Sequence, residues 1–180
     1  GLNAGKPARE ILSEEEQELA YDLFLLTAKK ELRVFNVSES DPRLNSQDDN
    51  LYICAKVESE LSSLSEEDAN AYLSELGIAE SGLDKLIKKA YATLGLISFL
   101  TTGETETRAW TINKGTKAPA AAGVIHTDFE KKFIKAKVCD YDAFVDAGGW
   151  KVASERGKVR LEGKEYEMQD GDVVEYMVGA

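Results

Sequence analysis

Gly1-Leu2-Asn3-Ala4-Gly5-Lys6-Pro7 has the composition of a phosphate-binding loop, in which backbone amides cradle phosphate oxygens and a lysine reaches them. The spacing rules that chemistry out. Such a loop needs four residues between its glycines and a hydroxyl after the lysine to hold magnesium. Here three residues intervene, and Pro7 offers neither a hydroxyl nor an amide hydrogen. The stretch reads as a surface loop before a helix, and no other stretch supplies a phosphate loop. His126 is the only histidine, so a His-rich metal site is excluded. Its imidazole could act as a general base or an RNA contact. The preferred reading is a packed or capping residue bonded to neighbouring backbone. Lys131, Lys132, Lys135 and Lys137 form a local basic strip beside Phe129 and Phe133, and Trp110 and Trp150 offer faces for base stacking. The other reading puts the aromatics in the core and makes the lysines a solvated face interleaved with Asp128, Glu130 and Asp140. Gly115, Gly123 and Gly171 read as turn residues with positive φ rather than phosphate binders.

These groups need a scaffold, and 180 residues with 43% hydrophobic and 31% charged side chains can build one or two packed domains. The net charge of −11 argues against binding nucleic acid or an anionic membrane by bulk charge, and no DNA specificity is evident. No apolar run approaches the ~18 residues that span a bilayer, and no signal peptide opens the chain. Cys54 and Cys139 are too few for a disulfide framework and fit a reducing, cytoplasmic setting. The only methionines are Met168 and Met177, so a processed chain or a piece of a longer one is expected.

Charge divides the chain. Residues 1–94 hold 10 basic and 19 acidic side chains, and residues 95–180 hold 12 and 14. The first part reads as α/β. Ser13 and Glu16 form a capping box, and Leu19, Leu23 and Leu26 mark one apolar helical face behind it. Residues 32–37 read as a buried strand, 38–50 as a loop and 51–54 as a second strand. A helix capped at Ser65 runs to Leu76 and ends at Gly77. Another spans 81–94 with Leu83, Leu86, Ile87, Ala90 and Leu94 on one face. The second part reads as α+β. Strands are expected at 96–101, 108–112, 133–139 and 173–178, with helical runs at 118–122 and 140–147. Asp170-Gly171 is a turn between the apolar runs 166–168 and 173–178. A small mixed sheet clasping a short helix fits that order.

Three stretches resemble the Obg-like ATPase (YchF) family over nearly the whole chain. Arg108-Ala109-Trp110-Thr111-Ile112-Asn113-Lys114-Gly115-Thr116-Lys117-Ala118-Pro119, continuing through Ala122-Gly123-Val124-Ile125-His126-Thr127-Asp128-Phe129-Glu130-Lys131, resembles the signature of that family's C-terminal TGS domain. Leu161-Glu162-Gly163-Lys164 and Gln169-Asp170-Gly171-Asp172 agree with it. The resemblance implies a β-grasp fold for residues 95–180, which contacts RNA or ribosomal protein. It implies that residues 1–94 are the C-terminal part of a P-loop nucleotide domain. Asn36-Val37-Ser38-Glu39 is similar to the Asn-x-x-Glu that this family carries where related GTPases have Asn-Lys-x-Asp. Asn36 is thereby implied as the base reader, since an amide can both accept from and donate to an adenine edge. Val37 is implied as a backbone or apolar contact, and Glu39 as the mark of a lost guanine preference. By themselves the four residues also fit a strand-end turn. Cys54-Ala55-Lys56 resembles the Ser-Ala-Lys loop whose backbone lies against the base, and a buried strand-end cysteine is the other reading.

The resemblance implies ATP and Mg2+ as cofactors of the full-length protein, which hydrolyses ATP slowly. The phosphate loop, the metal and the oriented water belong to sequence upstream of Gly1, so this chain alone is expected to bind neither tightly and to be inactive. Eleven residues, 40–50, separate Glu39 from Leu51, where the family has a longer connection with a helix. That loss is expected to thin one flank of the sheet beside the base. The alternative is a non-enzymatic β-grasp module binding RNA or protein. A synthetase accessory domain fits less well, because nothing there requires the Asn-x-x-Glu and Ala-Lys loops.

Overall fold

The computed structural model describes residues 1–46, 50–103 and 106–179. The chain folds as two compact units, Gly1–Leu94 and Gly95–Ala180.

The first unit opens with α1 (Ala8–Ile11) and α2 (Glu14–Leu19). The capping box forms: Glu16 N–H donates to Ser13 Oγ at 3.2 Å, and Ser13 N–H donates to Glu16 Oε2 at 2.9 Å. The helix expected behind it stops at Leu19. Short 3-10 turns at Tyr21–Leu23 and Leu26–Ala28 follow, with left-handed Phe24 between them. Leu19, Leu23 and Leu26 are 87%, 69% and 78% exposed, so the expected apolar face has nothing to pack on. An amphipathic helix draws most of its stability from burying that face, and without it the last turns have no reason to stay α-helical.

β1 (Val34–Asn36) and β2 (Leu51–Ile53) pair in parallel, with Asn36 opposite Ile53. The expectation of a buried first strand is corrected, because Val34 and Phe35 are exposed. Phe35 stacks on Tyr52 at 5.4 Å, and the Arg43 guanidinium lies over Tyr52 at 5.0 Å. Among its described residues, the short connection buries one side chain. In the 3-10 turn Pro42–Asn45, Leu44 is buried against Cys54, Val57, Leu73 and Ile78. Asn45 Nδ2 donates to Gly77 O at 2.8 Å, and Asn45 Oδ1 accepts Ala79 N–H at 3.3 Å. Residues 47–49 of this connection lie outside the described residues.

Three helices complete the unit: α3 (Ala55–Leu61), α4 (Glu66–Glu75) and α5 (Gly82–Leu94). Ser65 Oγ accepts Asp68 N–H at 3.2 Å, and Ser81 Oγ accepts Asp84 N–H at 3.0 Å. Gly77 takes φ +68° and closes α4 with a paired cap, Ile78 N–H to Leu73 O and Gly77 N–H to Ser74 O. On α5, Leu86 and Ala90 are half-buried, but Leu83, Ile87 and Leu94 are exposed, so the expected single face is split. The sequence reading does not anticipate α3. Its seven residues bury only Val57, too little to show a period.

The second unit runs β3 (Leu96–Thr102), β4 (Thr107–Asn113), α6 (Ala118–Ile125), α7 (Thr127–Lys131), β5 (Phe133–Asp140), α8 (Tyr141–Ala147), α9 (Trp150–Glu155), β6 (Arg160–Glu162) and β7 (Asp172–Val178). The sheet order is β4-β3-β7-β5-β6, parallel only between β3 and β7. Ala118, Ala121 and Ala122 on α6 are fully buried against Phe99, Ile112, Ala136, Val138 and Val174. Their small side chains let the helix axis approach the sheet. Gly123 is helical and not a turn residue: a Cβ there would come 2.7 Å from the Glu130 carboxylate on α7. Behind the sheet, α8 and α9 bring Ala147 and Ala153 onto Cys139. Asp170-Gly171 turns the chain, but the flanking runs do not pair as a hairpin. Residues 166–168 form an isolated bridge from Glu167 to Lys117, and β7 is delivered to β3 by Asp170 and Gly171. Asp170 Oδ1 accepts Ser98 N–H at 2.8 Å, and Gly171 N–H donates to Ser98 O at 2.8 Å. Among the described residues no helix is long and apolar enough to cross a membrane.

Candidate functional site

The parallel register sends both strands of the first unit out of the same end of their sheet. Val37 N–H donates to Ile53 O at 2.8 Å and extends the ladder one residue past β1. The loops that follow, 37–40 and 54–56, therefore start side by side. The carboxyl end of parallel strands is where open α/β sheets hold ligands. Two contacts tie these loops. Ala55 N–H donates to Asn36 Oδ1 at 3.0 Å, and Lys56 Nζ donates to Glu39 Oε2 at 2.7 Å. Asn36, Glu39, Ala55 and Lys56 are all exposed. Val37 is half-buried against the small core and Cys54 is buried within it, so their backbones are the parts left to meet a ligand.

The Asn36 amide is already half engaged. Its Oδ1 holds Ala55, and among the described residues its Nδ2 has no hydrogen-bond acceptor, so the amide hydrogens are the donors it can offer. An amide donor matches a purine N7, an acceptor that adenine and guanine share. Around Lys56 the charges are arranged in series. Its hydrogen bond to Glu39 raises its pKa above the usual lysine value, with the charges of Glu39 and then Glu60 adding to it. Tyr72 O–H donates to the Glu60 carboxylate, which raises the Tyr72 pKa. Glu60 and Tyr72 are absent from the sequence reading. Glu60 stands four residues after Lys56, a helical pair that becomes visible once α3 is known.

The four lysines of the expected basic strip stand on two successive elements. Lys131 and Lys132 close α7, while Lys135 and Lys137 share a face of β5. Lys137 Nζ is 3.1 Å from Glu175 and 4.4 Å over the Trp150 ring. Phe133 is in the core and Phe129 is half-buried against it. Trp110 packs on the core under Arg108, at 4.2 Å, and donates to Thr101 Oγ1 at 2.9 Å. Trp150 packs on Phe144 at 4.9 Å. Both rings therefore follow the core reading of the aromatics. His126 Nδ1 accepts Asp128 N–H at 3.2 Å and caps α7. Among the described residues no group of three or more His, Cys, Asp or Glu stands close enough to hold a metal.

Residues 96–178 match the family YchF-GTPase_C, described as a protein of unknown function (DUF933). The chain is 48% identical over 187 residues to the ribosome-binding ATPase YchF of Bacillus subtilis (strain 168), covering 95% of this chain and 51% of that protein. It is 49% identical over 118 residues to Obg-like ATPase 1 of Rattus norvegicus, covering 66% of this chain and 30% of that one. The solved structure of the Schizosaccharomyces pombe YchF GTPase superposes with a TM-score of 0.81 at 35% identity, covering 97% of this chain and 50% of that chain. This chain spans about half the length of the curated YchF relatives it matches. Over that shared half, the chain belongs to the YchF family.

Proposed function

We propose that residues 1–94 carry the base-reading edge of an adenine-nucleotide site, and residues 95–180 a TGS β-grasp interaction unit, of a ribosome-binding Obg-like ATPase. The observation that supports this best is the tie between Asn36 Oδ1 and Ala55 N–H at 3.0 Å, beside Glu39 and Lys56 at 2.7 Å. Asn36 and the 54–56 backbone then face one purine edge, with Asn36 Nδ2 donating to N7 and the Val37 and Ala55–Lys56 backbone lying along the ring. The relatives' names pair ATPase activity with ribosome binding. Two parallel strands are too few to stand alone, since parallel sheets are covered on both faces. With the exposed apolar side chains of residues 19–26 and α5, this supports a unit that is part of a larger nucleotide domain. The mixed sheet around α6 supports the β-grasp reading.

ATP hydrolysis depends on holding the triphosphate and its Mg2+ and on orienting a water, and the protein contributes positioning and charge. The donors that the 36–39 and 54–56 loops offer fit a base, and the spacing at Gly1–Pro7 does not make a phosphate loop. The chain by itself therefore binds adenine nucleotide weakly and does not turn it over. Titration with ATP and with GTP, followed by amide NMR, tests the base site. Shifts at Val37, Ala55 and Lys56 with ATP, lost in Asn36→Ala, are expected. Turnover well above background with magnesium, abolished by Asn36→Ala, would overturn the assignment of the phosphate machinery elsewhere.

One observation favours a second reading, a non-enzymatic module binding RNA or protein. Lys131, Lys132 and Lys135 have no ion pair among the described residues. RNA affinity that falls steeply with salt would support it, because each phosphate contact releases counterions. A flat salt response would count against it.

A further inference from the structure

We infer that Lys56 sets which purine the edge accepts, by holding the Glu39 carboxylate away from the base. The inference rests on the base-site reading above and adds to it a positioning residue for specificity. The Watson–Crick edge of guanine presents two donors, N1–H and the N2 amine, and an ionised carboxylate is an acceptor only. Adenine presents the N6 donor and the N1 acceptor, which give a carboxylate less to bind. Glu39 follows Asn36 by three residues, so it is the acid placed to reward guanine at this strand tip. The structure shows that acid engaged, its Oε2 2.7 Å from Lys56 Nζ.

The engagement is built from both loops. Ala55, next to Lys56, is held by Asn36, so the amide that faces the base and the ammonium that occupies Glu39 are carried by one two-point tie. Glu60 attracts the ammonium from the next turn of α3, and Tyr72 on α4 holds Glu60. A guanine lodged against Asn36 would thus offer its donors to a carboxylate that already has one, beside a positive charge that repels them. Adenine meets no such conflict. The effect is modest, because the Lys56 and Glu39 side chains are 64% and 43% exposed and water screens them.

The test uses adenosine and guanosine as probes, which need no phosphate clamp, with amide NMR titration of the full chain at low salt. Wild type is expected to prefer adenosine. Lys56→Met keeps the aliphatic stem and removes the ammonium, and the guanosine-to-adenosine affinity ratio is expected to rise about two- to fivefold. Lys56→Arg restores the ion pair and returns the ratio to wild type. Adding Glu39→Gln to Lys56→Met removes the freed carboxylate and cancels the gain. An unchanged ratio in Lys56→Met, or a gain that survives Glu39→Gln, overturns the role of Lys56 while leaving the base site standing. Absence of shifts at Val37 and Ala55 with either nucleoside overturns the base site itself, and this inference with it.

Discussion

The two units bury apolar side chains to very different degrees. In the second, Phe99, Ala118, Ala121, Ala122, Ala136 and Val138 are all at zero exposure, with α6 on one face of the sheet and α8 and α9 on the other. In the first, the buried cluster is Leu44, Cys54, Val57, Leu73 and Ile78, with Ala8 and Leu51 buried outside it, while Leu19, Leu23, Phe24, Leu26, Leu83, Ile87 and Leu94 face water. Both units hold strands and helices with ordinary propensities, so the contrast does not come from local preference. It comes from the partner surface. A five-stranded mixed sheet offers two faces to cover, and a two-stranded parallel pair offers a strip. Apolar surface removed from water stabilises by roughly 25 cal/mol per Å2, so the first unit draws less from burial than the second. The candidate base site sits on the less buried unit, where Val37 and Cys54 pack on the small core while Asn36, Glu39, Ala55 and Lys56 are tied by hydrogen bonds and an ion pair.

That contrast can be broken at several points. Phe99→Ala should have the largest effect, about 3–5 kcal/mol, because it empties the centre of the second core and removes the edge contact with Tyr176. Urea unfolding followed by NMR signals of residues 95–180 reads it, and a cost below about 1 kcal/mol would contradict the packing described. Leu44→Ala should cost about 2–4 kcal/mol in the first unit, since Leu44 is buried in its small core against Cys54, Val57, Leu73 and Ile78. If signals of Ala55 and Lys56 stay put in that variant, Leu44 does not support the candidate site.

Acid should act with opposite sign on one carboxyl of each unit, Asp172 and Asp41. Burial, ahead of every other influence, raises the Asp172 carboxyl above its usual value, against the hydrogen bonds from Gln169 N–H and Tyr166 O–H. A raised folded pKa gives stability that is present below the unfolded value and lost as pH rises through the folded one. Asp41 runs the other way. Its hydrogen bonds from Arg43 lower it to about 2, so its stabilisation is present above the usual carboxyl range and is lost as pH falls toward about 2. Lowering the pH from 6 to 3, with unfolding followed separately in each unit, should show the Asp172 contribution growing. Asp172→Asn should remove that slope, and Asp41→Asn should flatten the opposite slope in the first unit. The smallest effect belongs to the joint substitution of Leu19, Leu23 and Leu26 by Ser. Stability should stay within about 0.5 kcal/mol, because the side chains are already in water, while self-association measured by sedimentation falls.

Much of the local structure is legible residue by residue. Ser13, Ser65 and Ser81 announce helix starts because a hydroxyl reaches an amide two or three residues on, and Gly77 announces an end because it accepts positive φ. The alternation at 133–139 announces β5, although a bulge between Phe133 and Lys135 puts Phe133 on the same side as Ala136. The tie at the candidate site is not legible. Asn36 and Ala55 are nineteen residues apart, and nothing local says that Oδ1 will be spent on that amide. Lys137 reads as a solvated basic residue until Glu175 and Trp150 are found beside it.

The sequence alone determined the caps, the turns, most of the strands and the resemblance to a nucleotide-binding family, since these depend on groups within a few residues or on the residue string itself. Only the tertiary structure decided where the helix begun at Ser13 would stop, that Asp170-Gly171 delivers a parallel strand, and that two loops meet at Asn36 and Ala55. The reason is the range of the forces. A cap or turn is settled by hydrogen bonds that the local chain closes on itself, whereas burial and long-range pairing depend on which distant surface arrives to exclude water.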